Sequence, residues 1–194
     1  MQKLKELVPA FILALICAIC VFLLAGTYSL TRKTIEKQAE AGARERQLTI
    51  FPDAKSFEAL YFSDEIRADL ESRGIVPDEV YKAYGADGSI LGYIFVNSGF
   101  GYAGQIVTTT GIRSDGTIAM VIATAASDTP KLGKEVEGRP FLDGFNDLPT
   151  DSEIVLNKDV SAVSGATISS RAATACINRA REAYLVLIER GLIQ

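Results

Sequence analysis

The sequence predicts an α+β protein: an N-terminal transmembrane helix and polar stalk, followed by an antiparallel sheet packed with helices. Three features carry this expectation. Residues 8–25 form an uncharged run, VPAFILALICAICVFLLA; two strand-turn-strand units with Asp-Gly turns occupy the middle; and a long amphipathic pattern closes the chain. With 194 residues, 48% of them hydrophobic, the chain suits one compact domain plus an appendage.

The uncharged run approaches the ~20 residues a helix needs to cross a bilayer core. A cleaved signal peptide competes with this reading, because Lys3 and Lys5 form a basic region and Ala25-Gly26-Thr27 offers small residues near a cut. The run is longer than the roughly 7–15 residues of such a segment, which favours a retained span within residues 1–30. Thr31 to Leu48, rich in Ala, Glu, Lys, Arg and Gln, continues the helix outward as a stalk within residues 31–52, and Phe51-Pro52-Asp53 ends it. Residues 53–194 form the main domain.

In that domain a short helix is predicted over Asp64 to Ser72, closed by Gly74 and followed by Pro77. EVYKAYG and ILGYIFVN flank the Asp87-Gly88 turn, and IVTTTGIR and TIAMVIATA flank Asp115-Gly116, giving about four antiparallel strands. The proline-bearing stretch SDTPKLGKEVEGRPFLDGFNDLPTD reads as loop, with one short helix near Phe141 to Phe145. Beyond Thr167, residues Ile168, Ala172, Cys176, Ala180, Tyr184 and Ile188 recur at spacings of four, adjoined by Ala175, Ile177 and Leu187. They mark an amphipathic helix that ends at Gly191 and packs on the sheet.

Composition excludes several function classes. The chain contains no histidine, which removes Ser-His-Asp and Cys-His constellations, His-containing zinc sites and an imidazole base. With Lys3, Lys5 and Glu6 set aside, the remainder carries 18 basic and 23 acidic residues, so nucleic acid is not an expected partner. Cys17 and Cys20 form a C-x-x-C within the apolar run, where thiols serve as apolar filler. Cys176 stands alone in the main domain, which therefore has no internal disulfide. A hydrolase using Ser164 or Ser170 with a lysine has no signature for the required base.

The most informative segment is Ala162-Val163-Ser164-Gly165-Ala166-Thr167-Ile168-Ser169-Ser170, at the entrance to the last helix. A helix start offers free N–H groups and a positive dipole end to an anion such as phosphate, while Gly165 and Ala166 leave room for a bulky group. Taken alone, Ser and Thr at this place are most often ordinary N-caps.

Thr167 and its neighbours resemble the flavinylation motif SGAT. That motif belongs to the FMN-binding domains of the G subunit of Rnf-type ion-translocating ferredoxin:NAD oxidoreductases, and of the related C subunit of sodium-pumping NADH:quinone oxidoreductases. Gly99-Phe100-Gly101-Tyr102-Ala103-Gly104-Gln105-Ile106 is similar to the family's G-x-G-Y-x-G-x-I segment, and Asp128-Thr129-Pro130-Lys131-Leu132-Gly133 to its E-T-P-G-L-G loop. The membrane helix, stalk and Phe51-Pro52 break match in order. Three departures stand out: Ser161 replaces the acidic residue three positions before the SGAT serine, Asp128 and Lys131 replace Glu and Gly in the loop, and Ala126 replaces a frequent His.

The resemblance implies FMN joined by a phosphoester to Thr167 by a flavin transferase, with Ser164, Gly165, Ala166, Gly101, Tyr102, Asp128, Thr129, Leu132 and Gly133 around the cofactor. It implies an electron carrier working with other subunits of a membrane complex coupled to Na⁺ or H⁺ movement. A membrane-tethered flavin-binding or sensory module without a redox role is the alternative. Arg32, Lys33, Lys37, Arg44 and Arg46 closely follow the span, so the positive-inside rule leans toward a cytoplasmic domain. The resemblance places the domain outside, with the short N-terminus acting as a signal anchor.

Overall fold

A computed structural model describes residues 2–125 and 133–193 of the chain. The expected loop residues Ala126, Asp128, Thr129, Lys131 and Leu132 lie outside the described residues. The chain divides into two compact units, Met1–Glu45 and Arg46–Gln194.

The first unit is helix. Helix α1 spans Gln2–Ile50 without a break at Gly42, and its last turn belongs to the second unit. From Phe11 to Leu30 its large apolar side chains are exposed on every side, Phe22 and Leu24 among them. A helix apolar all round suits a lipid environment, and this is the one helix among the described residues long and apolar enough to cross a membrane. The hydroxyls of Thr27 and Thr31 donate to the carbonyls of Leu23 and Thr27 at 2.8 Å, satisfying these polar groups within the helix.

The second unit is built on a five-stranded antiparallel meander in the order β1 (Ser56–Ala59), β2 (Glu79–Tyr84), β3 (Ile90–Phe100), β4 (Gln105–Arg113), β5 (Ile118–Thr124). Four strands are expected from sequence. The fifth, β1, is only four residues long and shows half-buried alternation. Helix α2 (Asp64–Arg73) joins β1 to β2 and ends at Gly74, whose φ of 70° lies in the left-handed region. Both Asp-Gly turns form as expected. Asp87 accepts from the Ser89 N–H and hydroxyl, Asp115 likewise from Thr117, and these bonds hold both carboxyls below their ordinary range.

After β5 the chain runs through a 3-10 turn, Gly133–Glu137, then helix α3 (Arg139–Leu142), which passes into a second 3-10 turn, Asp143–Phe145. The helical stretch thus starts earlier than expected and tightens at its end. Helix α4 (Thr167–Glu189) crosses the sheet. Its Tyr184 ring sits between Tyr93 and Phe95 of β3, at centroid distances of 6.0 and 6.2 Å.

The buried stripe of α4 is Ala173, Cys176, Ile177, Ala180, Ala183, Tyr184 and Leu187. The expected row of fours holds at its centre and fails at its ends, where Ile168 and Ile188 are exposed, as is Ala175. With 3.6 residues per turn, each step of four over-rotates by about 40°, so a row centred on Cys176 to Tyr184 swings away from the sheet on both sides.

The opposite sheet face receives the end of α1. Ile50, Phe51 and Ala54 are buried against Ala83 and Ile94. Two glycines make this seat. A Cβ at Gly111 would collide with Ile50 Cγ2, and one at Gly92 would lie 2.6 Å from the Phe51 ring.

Candidate functional site

The site begins with the loop that delivers α4. Asn178, on α4, accepts from the Ile154 N–H at 2.9 Å and donates to the Ile154 carbonyl at 2.8 Å, fixing the incoming chain. Asn157 Oδ1 accepts from the Ala162 N–H at 3.0 Å. The Ser170 hydroxyl, fully buried one turn into the helix, accepts from the Val163 N–H at 3.1 Å, and the Ala166 N–H donates to the Val163 carbonyl at 3.0 Å. These bonds fold residues 163–166 into a tight turn, and Gly165 takes a φ of 77° within it, a conformation that disfavours any side chain.

Ala166 occupies the N-cap position and supplies no side-chain acceptor. The first-turn N–H groups of α4 are therefore presented without the usual Ser, Thr or Asp cap. Thr167, the first helical residue, is exposed, and so is Ile168, while Ser169 is buried.

The β3–β4 connection meets this helix start. Gly101 donates its N–H to the Gly104 carbonyl at 2.8 Å, closing the turn, and the Tyr102 N–H points to the Ser169 hydroxyl at 3.3 Å. The third contributor is Gly133, where the chain re-enters the described structure. Its stem is held because the Ala125 N–H donates to the Glu137 carboxylate at 2.5 Å.

Tyr102, Gly133, Gly165, Ala166, Thr167, Ile168 and Ser169 together line a cavity of about 550 Å³. Three segments distant in sequence thus meet at the start of α4. Among the described residues, no charged side chain lines this cavity. Its walls are backbone amides, hydroxyls and the apolar surfaces of Tyr102 and Ile168, which are 69% and 52% exposed.

Of the residues singled out from sequence, Tyr102, Gly133, Gly165, Ala166 and Thr167 share the cavity. Gly101 shapes the neighbouring turn, and Ser164 is exposed on the loop outside the lining. Ile168 and Ser169 line the cavity without having been singled out. Their signal was the hydroxyl-rich run after Thr167, in which Ser169 meets Tyr102 and Ser170 holds the loop.

Two family models match the chain: the FMN-binding domain over residues 101–182, and the RnfG N-terminal region over residues 7–48. The G subunit of the Na(+)-translocating ferredoxin:NAD(+) oxidoreductase complex of Acetobacterium woodii is 31% identical over 188 residues, spanning 89% of this chain and 88% of that protein. The chain belongs to the RnfG family. Its relatives extend to the G subunit of the ion-translocating oxidoreductase complex of Methanosarcina acetivorans, at 31% identity over 93% of this chain and 95% of that protein. The fold of this RnfG-family chain is also that of the C subunit of the Na(+)-translocating NADH-quinone reductase from Parabacteroides distasonis, with a TM-score of 0.52 at 19% identity, covering 68% of this chain and 76% of that one. The FMN-binding match takes in β4, β5 and most of α4, and so includes Tyr102, Gly133 and Thr167.

Proposed function

We propose that this chain is an electron-carrying subunit of a membrane-bound ferredoxin:NAD oxidoreductase complex coupled to Na⁺ or H⁺ translocation, and that it holds FMN esterified to Thr167. The observation that carries the proposal is the position of Thr167: exposed, first in α4, and on the wall of a cavity of about 550 Å³ whose lining among the described residues carries no charged side chain.

The residues present suit that group. The cavity falls within the ~300–1,000 Å³ of cofactor sites. The uncapped helix start offers N–H donors and a positive dipole end to a phosphodiester, and Gly165 keeps side-chain bulk away from it. Tyr102 and Ile168 offer apolar surface to a flat ring. By the same resemblance Ser164, Gly101, Asp128, Thr129 and Leu132 complete the surroundings. Bound FMN supplies one- and two-electron redox chemistry. Thr167 anchors, the α4 start neutralises the diester, and the remaining lining positions the cofactor and limits its contact with water.

Attachment consumes FAD on a flavin transferase. A bond forms between Thr167 Oγ1 and the flavin-side phosphorus, the bond from that phosphorus to the AMP oxygen breaks, and the hydroxyl proton leaves through the transferase. Intact-mass analysis of the full chain co-expressed with a flavin transferase tests this. Wild type is expected to gain one esterified FMN and Thr167→Ala none; an unmodified wild type or a modified Thr167→Ala overturns it.

The proposal places α1 across the membrane once, with the second unit on the extracytoplasmic side. Cys176 is buried, and with Cys17 and Cys20, which are exposed on α1, replaced by Ser, a thiol engineered at exposed Ser152 is the reporter. Ser152→Cys is expected to react with an impermeant maleimide in intact cells. Labelling that requires lysis reverses the orientation.

A further inference from the structure

Strand β3 outruns its neighbour. Strand β2 begins at Glu79, opposite Val96, and the Asp78 N–H donates to the Val96 carbonyl at 2.8 Å, the last ladder bond on that edge among the described residues. β3 continues to Phe100 paired with β4, whose own pairing with β5 reaches only to Val107. Residues 98–106 are therefore a two-stranded overhang, an arrangement with little stability of its own. Gly99, Gly101 and Gly104 leave its backbone supple, and Phe100, 84% exposed, does not anchor it. Its tip carries Tyr102, a wall of the Thr167 cavity.

Helix α4 grips this overhang at two points. The Tyr102 N–H meets the Ser169 hydroxyl at 3.3 Å. About 15 Å further along the helix axis, Arg179 donates from Nη2 to the Ser98 carbonyl at 2.6 Å and to the Cys176 sulfur at 3.0 Å. Carbonyls two residues apart on a strand point the same way, so Ser98 presents the next acceptor after Val96 on the edge that β2 has left. Arg179 takes the place of a strand there, with a charge-assisted and partly buried bond. Gly99 admits the guanidinium: a Cβ at that position would lie 3.2 Å from Arg179 Nη2 and 2.9 Å from Cys176 Sγ.

Resting on the function proposed above, we infer that Arg179 is a positioning residue for the Thr167 site. It is not among the residues that line the cavity. It acts through the Ser98 carbonyl, which fixes the base of the overhang, and so holds Tyr102 in place as the cavity wall beside Thr167.

Hydrogen-deuterium exchange of the full chain in detergent micelles, read by mass spectrometry, tests the grip without any flavin. Arg179→Met keeps the apolar stem and removes the donors. It is expected to speed exchange about tenfold in peptides covering residues 99–106 and to leave those covering the Asp87-Gly88 turn unchanged. No change at 99–106, or an equal rise in both hairpins, overturns the positioning role. Should Arg179→Met fail to fold, Gly99→Ala is read the same way, since its Cβ would press on the same guanidinium. On chains whose mass shows one esterified FMN, the variant is also expected to lose intensity in the visible circular dichroism of the flavin. A full flavin signal beside a loosened hairpin overturns the link from Arg179 to the site. A wild type that carries no FMN overturns the proposed function instead, and the exchange result still decides whether Arg179 fixes the cavity wall.

Discussion

Gly165 and Ser170 have different duties in presenting Thr167. Gly165 supplies a backbone angle, a φ of 77°, that costs an L-residue about 1–2 kcal/mol. Gly165→Ala is therefore expected to lower unfolding free energy by about that amount, and to slow flavin incorporation because the turn relaxes away from its present course. Urea titration reads the first effect and intact mass the second. Ser170 supplies a buried acceptor for the Val163 N–H. Ser170→Ala leaves that donor without its bond, for an expected loss of about 1–3 kcal/mol, whereas Ser170→Thr keeps the acceptor. Thr167→Ala should barely move stability, since its side chain is exposed and no side-chain cap is lost. Stability and loading thus separate: a variant that unfolds easily yet loads fully would show that the loop bonds do not position Thr167. The motif was legible in the sequence because its chemistry lies in small and hydroxyl residues next to one another. The contribution of Ser169 was not, because its Tyr102 partner lies 67 positions away and only folding brings them together.

The elements were legible where a pattern ran long enough to fix its period. The two hairpins announced themselves through Asp-Gly turns, which the Asx-type bonds of Asp87 and Asp115 now account for. Strand β1 did not, because four residues cannot separate alternation from chance. Helix α4 was legible in kind but not in phase, for the rotational reason given above. The seat of α1 was hidden in the absence of side chains at Gly111 and Gly92, which sequence alone reports only as strand glycines. Gly111→Ala is expected to destabilise the second unit by about 1–3 kcal/mol through overpacking against Ile50. Combining it with Ile50→Ala should recover part of that loss, and a double-mutant cycle by chemical denaturation measures the coupling. A second junction is electrostatic. Asp69 of α2 accepts from Arg190, just beyond α4, at 2.6 Å and from Arg73 at 3.2 Å. The Arg190 bond first, and then Arg73, hold its carboxyl below the ordinary value of 3.8. A depressed carboxyl stabilises above its unfolded value and loses that contribution as pH falls through the folded one, so the effect vanishes in the acid range below about 3.8. Asp69→Asn should flatten the acid limb of a plot of Tm against pH and leave its slope near neutrality unchanged.

At the scale of the whole chain, where the second unit begins is a physical question. The polar composition from Thr31 to Leu48 reads as uninterrupted stalk, yet Gln47, Ile50 and Phe51 are buried, and the compact unit starts at Arg46. A patterned stretch of charged residues conceals this, since the packing on the sheet begins within the last helical turn. Ile50 and Phe51 each contribute about 1.5–3 kcal/mol by burial, roughly 3–6 kcal/mol together. That is a large share of the ~5–15 kcal/mol by which domains are stable. A fragment of residues 46–194 should therefore fold as a soluble protein and unfold cooperatively, whereas one of residues 55–194 bares Ala83 and Ile94 and should melt far lower or aggregate. Differential scanning fluorimetry of the two fragments decides between this and a stalk that merely spaces the domain from the membrane. Equal Tm values would mean that the α1 terminus contributes no stability and that the glycines beneath it are incidental. Because the Thr167 cavity is built wholly within residues 46–194, the fragment that starts at Arg46 is also expected to accept flavin from a transferase without any membrane. Failure to load in a fragment with a normal melt would place part of the transferase's recognition on the first unit.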